Sequence, residues 1–473
     1  MTIPRKIQGL LPRAWPLLGA LLLAAPAPAP SVEPCRIEVV DKQNGWPVPL
    51  VLLRSTHQMV FITDNAGVIA LDAPELMGRE VWFDVVGHGY DVPKDGFGIR
   101  GVRLKPEPGR RLKVEVRRTN IAKRLGRLTG SGLFAESQKL GQEAGMRDNG
   151  VFGCDSVQNA VHRGKMFWAW GDTLVARYPL GVFDMTGATT PVMPLSSFEP
   201  PVRLSFDYFK DRDGKPRGLA PMPGKGPTWL TGYVSLKDKN GQSRLCASYI
   251  KIQNHLETYQ SGLCVWNEDK EQFELLRQIW TKSQTSPKEP PIPTGHPAFW
   301  KDPNGTEFVL FGNPLPTLRC PATFEAWQDS SKWELLKPQE RLPASTGSAT
   351  NGAVVKPHSG SMAWNGFRRR WVTVFMESFG KPSVFGELWY AEADAPQGPW
   401  GPAVKVLTHD NYTFYNPRLH PEFTPEGSPI LIFEGTFTQE FADRPAPTAR
   451  YNYNQILYRL DLDDPALAPA RKP

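Results

Sequence analysis

From about residue 146 onward, short apolar runs alternate with polar, glycine-centred turns, and the pattern recurs loosely five times. Each unit holds an apolar strand, a polar turn, and a second strand rich in aromatics. The second strands align as Phe167-Trp168-Ala169-Trp170 before Gly171-Asp172, Leu245 to Ile252, and Phe308-Val309-Leu310-Phe311 before Gly312-Asn313. Val372 to Met376 before Glu377 and Ile430 to Phe433 before Glu434 complete the set. The turns that feed them also correspond: Arg163-Gly164-Lys165, Lys239-Asn240-Gly241, Pro303-Asn304-Gly305, Asn365-Gly366 and Pro425-Glu426-Gly427. Apolar runs of this length bounded by Gly, Asn and Pro predict strands rather than helices.

Repeated four-stranded units that bury their faces only against their neighbours predict a five-bladed β-propeller over residues 146–473. Fifteen tryptophans suit the wide spaces between such sheets. A large irregular β-sandwich is the competing architecture. Upstream, Cys35 to Val40, Val48 to Leu53, Val81 to Val86 and Arg111 to Val116 alternate between clusters of Gly, Asp, Asn and Pro. They predict a small β-sandwich over residues 31–118. Residues 119–145 interrupt the β pattern: Ile121, Leu125 and Leu128 have helical spacing and Asn120 is a candidate N-cap, which predicts a short helical connector. The expected fold class is therefore all-β, a small β-sandwich followed by a five-bladed β-propeller.

The first thirty residues read differently. Arg5, Lys6 and Arg13 precede or flank the apolar stretch from Pro16 to Ala25, and small residues follow it. This is the pattern of a signal peptide, too short to span a bilayer, and it predicts a secreted or periplasmic chain. Cys35 does not fit a lipoprotein signal, because Val32-Glu33-Pro34 lacks the small residues such a signal needs. No other apolar run reaches membrane length. Losing those three cations lowers the formal charge from +7 to +4. The remaining excess is local: between Arg100 and Arg127 eleven Lys and Arg face only Glu107 and Glu115. In an exported chain that stretch points to an anionic glycan or cell surface rather than nucleic acid, or else to a solvated basic face. Five cysteines cannot all pair within one chain. Cys246 and Cys264, in neighbouring apolar segments, are the pair placed to face each other across a hairpin.

Propeller geometry selects candidate site residues without any motif, because first-strand starts and second-strand ends ring one mouth. The starts offer Asp148, Asp155, His296, Asn351 and Asn416; the ends offer Asp172, Asn313, Glu377 and Glu434. Trp170 and Tyr415, close to the same positions in sequence, are candidates to stack on a flat ligand. Each also has a bland reading: Asp172 after Gly171 is a common turn residue, Glu434 before Gly435 can simply bond backbone, and lone histidines are mostly structural.

Several segments resemble known families. Gly386 to Trp400, an aromatic strand closed by Ala-Asp-x-Pro-x-Gly-Pro-Trp, resembles the outer blade strands of five-bladed propeller glycoside hydrolases. Cys154-Asp155-Ser156-Val157, with its Gly turn and Phe-Trp-Ala-Trp, is similar to their first inner strand, and the resemblance implies that Asp155 is the general base. Asn416-Pro417-Arg418-Leu419-His420-Pro421 resembles the start of their last inner strand, with Arg418 a further anion clamp. The family's acid lies in the third blade, where this chain has Gly295-His296-Pro297, and its second-blade Asp is missing around Trp229 to Val234. Glu377, then Glu434, are the replacement acids, with Asp148 a second base candidate. Thr63-Asp64-Asn65-Ala66-Gly67 and Gly87-His88-Gly89-Tyr90 resemble the carboxypeptidase-regulatory-like, transthyretin-type domain.

These resemblances imply hydrolysis of glycosidic bonds in an oligo- or polysaccharide by paired carboxyl groups. The alternative is a non-catalytic glycan-binding or surface-attached propeller that has lost its general acid. No cofactor is expected, although the resemblance leaves room for a structural calcium ion in the channel. A monomer is expected, with no nucleic acid partner.

Overall fold

The structure is a computed structural model that describes residues 32–146, 149–254, 256–345, 353–442 and 446–471. Residues 1–30, where a signal peptide is expected, lie outside the described residues, as do Asp148 and Asn351. The chain is all-β. Among the described residues no helix is long and apolar enough to cross a membrane.

Two four-stranded sheets form the N-terminal part. One runs Val68–Leu71, Cys35–Asp41, Arg111–Arg118, Tyr90–Asp91; the other runs Val60–Ile62, Leu52–Ser55, Val81–Val86, Gly101–Leu104. Strict alternation along Cys35–Asp41 and Val81–Val86 turns every second side chain inward. Ile37, Val39, Leu53, Phe83 and Val116 meet there in one core.

Five sheets follow, with inner strands Gln158–His162, Thr228–Lys237, Ala298–Lys301, Pro357–Asn365 and Thr413–Leu419; in the fourth, Leu342–Ser345 adds in parallel to Ala403–Leu407 on the outer side. Their apolar contacts show how they are arranged. Phe167 and Ala169 of the first sheet pack with Leu230 and Tyr249 of the second. Val234 and Cys246 pack with Val309 and Leu318 of the third, and Ala298 and Leu310 with Met362 and Trp371 of the fourth. Val374 and Tyr390 meet Phe414 and Phe433 of the fifth. Ile432 and Leu457 of the fifth then pack on Trp168 and Trp170 of the first. The sheets therefore form a closed ring, which is the propeller arrangement.

The connector departs from expectation. Lys123–Arg127 is not a helix but a strand, paired antiparallel with Asn454–Asp461 as the outermost strand of the fifth sheet. Backbone pairing to an otherwise open sheet edge outweighs the weak local preference expressed by three apolar positions. The expected cap Asn120 instead bonds both backbone polar groups of Thr408. A single short helix in the connector, Ala135–Lys139, lies further along.

This closing strand also joins the sandwich to the ring. Arg124, 1% exposed, donates to the carbonyls of Pro49, Leu50 and His88 and to the Tyr458 hydroxyl. Its guanidinium lies 5.2 Å from the centre of the Tyr90 ring. The Asn65 amide pairs with the backbone N–H and C=O of Arg127, and the Tyr451 hydroxyl donates to the Thr63 carbonyl. The Thr63–Gly67 turn is thus a docking element.

All five cysteines are buried and unpaired. Cys264 is in register with Ala247, one position away from Cys246. Their thiols consequently leave opposite faces of the sheet and enter different cores.

Replacing Arg124 with Met strands three carbonyls in the interface, and each unmet buried group costs about 1–3 kcal/mol. Arg124→Met is expected to lower the denaturant midpoint by an amount corresponding to on the order of 3 kcal/mol. Arg103→Met, on the exposed face over Trp82, should stay within about 0.5 kcal/mol. Equal midpoints for the two variants would refute this role for Arg124.

Candidate active site

A cavity of about 390 Å³ opens at the N-terminal ends of the inner strands and is lined from four sheets of the ring. Asp155 lies in the turn between the strand Val151–Cys154 and the first inner strand. Its carboxylate accepts a 2.6 Å hydrogen bond from the Tyr415 hydroxyl and another from Tyr453. The Gly171 N–H donates to the Asp155 carbonyl at 2.8 Å. A Cβ on Gly171 would come within 2.0 Å of the Asp155 carboxylate, so only glycine lets the two segments approach. One residue later Asp172 accepts a 3.3 Å bond from the Trp229 indole.

From the fifth sheet, Asn416 donates to the Ser156 hydroxyl at 2.6 Å. Asn313 accepts from the Gly360 N–H at 2.7 Å, which ties the third sheet to the fourth beside the cavity. His296 follows Gly295, whose φ of +86° and 1.9 Å approach of a would-be Cβ to the Gly312 carbonyl exclude any other residue. The His296 ring is buried, and its Nδ1 meets no hydrogen-bond partner among the described residues.

The cavity wall concentrates unusual backbone. Ser156, Met185, Asn416, Phe441 and Tyr453 have φ of 48°, 55°, 51°, 58° and 59°, and all five line it. Left-handed conformations at residues other than glycine cost about 1–3 kcal/mol each and gather where function needs them.

Three carboxyl groups share the cavity: Asp155, Asp172 and Glu440. Burial pushes Asp155 up to about 7; the Tyr415 hydrogen bond opposes that shift, while the charges of Asp172 and Glu440 reinforce it. Burial also raises Asp172, against the Trp229 bond and with help from Glu440. Burial alone raises Glu440. For His296, burial first and the Arg418 charge second hold the imidazole well below its ordinary range. Among the described residues, no Lys or Arg lines the cavity. Leu256 and Phe441, both more than half exposed, form an apolar flank with Trp229 and Ile250.

The structure thus gathers Asp155, Asp172, His296, Asn313, Tyr415 and Asn416 at one opening. It places four other candidates elsewhere. Glu377 ends its strand as expected, but its carboxylate is bound by the Trp389 indole of the next strand outward, at 2.9 Å, and does not line the cavity. Glu434 is fully buried against His420 at 2.7 Å, and burial pushes its carboxyl up to about 8 although Arg418 opposes the shift. Trp170 is buried between the fifth and first sheets, stacked on Trp168 at 6.0 Å. Arg418, bonded to Asn159 and Glu422, lines a second cavity of about 420 Å³ at the opposite ends of the inner strands.

Glu440 was missed because the strand Ile430–Thr438 runs well past Phe433, so the residue at its mouth end is Glu440 rather than Glu434. Among the described residues, no group of three or more His, Cys, Asp or Glu is arranged to hold a metal ion. Calcium prefers six to eight oxygen ligands, whereas the channel presents the Arg418 guanidinium beside His296 and His420.

No protein-family description matches the chain, and no curated protein does. Among solved structures, it is similar to an exo-1,5-α-L-arabinanase from a bovine ruminal metagenomic library, with 10% identity and a TM-score of 0.39 over 66% of this chain and 94% of that one. An α-L-arabinanase of Cellvibrio cellulosa complexed with arabinohexaose gives 12% identity and 0.37, over 64% and 91%. A GH43 β-xylosidase/α-arabinofuranosidase from a compost microbial metagenome gives 12% and 0.34, over 60% and 85%. Likeness at this level carries no conclusion about chemistry, which rests on the residues of the cavity itself.

Proposed function

We propose that the chain hydrolyses glycosidic bonds of a neutral glycan in the Asp155 cavity, in an exported setting. The observation that carries this reading is the convergence of three carboxyl groups with raised pKa on one cavity with an apolar flank. Glycoside hydrolysis needs one carboxyl that stays protonated to donate to the leaving oxygen and a second that activates water or attacks. Glu440, an exposed carboxyl at the cavity rim on the fifth sheet, is the second carboxyl and takes the donor role. Asp155, held in place by two tyrosine hydroxyls, suits the base. Asp172 tunes Asp155 through its charge and helps hold the sugar.

The charge pattern narrows the substrate. An anionic sugar would sit beside three acids and a His296 imidazole that burial keeps from charging, with no Lys or Arg among the described lining residues to meet it. Uronate-containing and sulfated glycans are therefore disfavoured, and neutral ones accepted. Trp229 and the Leu256–Phe441 flank offer faces on which a sugar ring can stack.

In a screen of chromogenic neutral glycosides and oligosaccharides, Asp155→Asn and Glu440→Gln are each expected to lower kcat by about a hundredfold or more. Glu377→Gln should leave kcat within about twofold. Full activity in Asp155→Asn would overturn the assignment. Glycan binding without turnover by the unaltered protein would favour the non-catalytic alternative.

The pH profile tests the electrostatics. A base must be ionised, so kcat/KM should rise through an apparent pKa near the Asp155 value of about 7. Tyr415→Phe removes a bond that favours the carboxylate and should move this limb to higher pH. Asp172→Asn removes a neighbouring negative charge and should move it to lower pH. Shifts in the opposite directions would show that another group sets the limb.

A further inference from the structure

We propose that the N-terminal sandwich docks on an anionic phospholipid surface through the hairpin tip at Phe97. The tip connects Asp91 to the strand Gly101–Leu104, and it is stiff. The Asp95 carboxylate accepts from the backbone N–H of both Phe97 and Ile99, each at 2.9 Å. Backbone bonds from Asp95 to Ile99 and from Gly98 to Asp95 complete the turn. Phe97 is 94% exposed and Ile99 49%. A fully exposed aromatic with a half-exposed aliphatic side chain beside it marks a contact surface.

The surroundings of the tip supply the charge. Beside it lies a groove of about 490 Å³ formed by sandwich residues alone, with Lys42, Lys94, Arg100 and Arg117 among its lining against Asp91 and Glu115. Asp91 is shared between Arg100 and Arg117, which leaves cationic capacity unmatched in the groove. An apolar point flanked by cations is the complement of an acyl region beneath anionic headgroups. A soluble anionic glycan would satisfy the cations but not Ile99, which offers no flat ring for stacking and no hydrogen bond.

The test uses the chain from residue 32 onward, which keeps every described residue and omits the apolar leader, and it measures co-sedimentation with vesicles. Binding is expected to phosphatidylcholine vesicles that contain phosphatidylglycerol and not to phosphatidylcholine alone, and salt should weaken it. Phe97→Ser should weaken partitioning about tenfold or more, and Arg100→Gln about fivefold, with the glycosidase readout unchanged in both. Three results would overturn the proposal: no binding to anionic vesicles, binding indifferent to Phe97→Ser, or binding to a soluble sulfated polysaccharide but not to vesicles. Since neither variant touches the Asp155 cavity, failure here leaves the hydrolase reading standing, and failure of that reading leaves this one.

Discussion

The architecture depends on one pairing, that of Lys123–Arg127 with the last strand of the fifth sheet. Every sheet of the ring keeps an outer edge, and in the fifth sheet the outermost position is filled by a strand drawn from ahead of the first sheet. Arg124 makes that pairing costly to undo. Its guanidinium is buried and donates to three carbonyls and a tyrosine hydroxyl, with no carboxylate partner among the described residues. Separating the sandwich from the ring would leave those groups unmet, so the junction stabilises by the penalty of breaking it rather than by any large net attraction.

The same closure shapes the cavity. Asp155 and Asp172 come from the first sheet, Tyr415, Asn416, Glu440 and Tyr453 from the fifth, and the fifth-to-first contact sets their spacing. Two networks of side chains cross this seam. Tyr415 reaches Asp155 at the mouth, while Arg418 and His420 reach Asn159 deeper in the channel. The deeper network also takes in Glu422 and Glu434, each of which keeps one buried oxygen without a partner among the described residues. At the mouth the His296 Nδ1 has no partner among the described residues, and burial raises the carboxyls of Asp155, Asp172 and Glu440, which is where chemistry can occur.

Much of this was legible from residue order. Alternation and glycine turns located the five sheets, and the rule that first-strand starts and second-strand ends share a mouth brought Asp155, Asp172, His296, Asn313 and Asn416 to one place. What was hidden depended on contacts beyond the local window. Glu440 escaped notice because Glu434-Gly435 looks like a strand end, although the strand continues to Thr438. Trp170 appeared to border the mouth, but it shares a face with Trp168 and is drawn between sheets. Ile121, Leu125 and Leu128 suggested a helix because nothing in their spacing reveals an open sheet edge more than three hundred residues downstream.

That separation has a bearing on how the chain reaches its native state. Tyr458, the partner that Arg124 requires, lies 334 positions later, so the earliest strand of the ring has nothing to pair with until synthesis is almost over. Contacts this remote in sequence form slowly, because the intervening loop must first be gathered in. Premature capture by another sheet edge is the corresponding hazard.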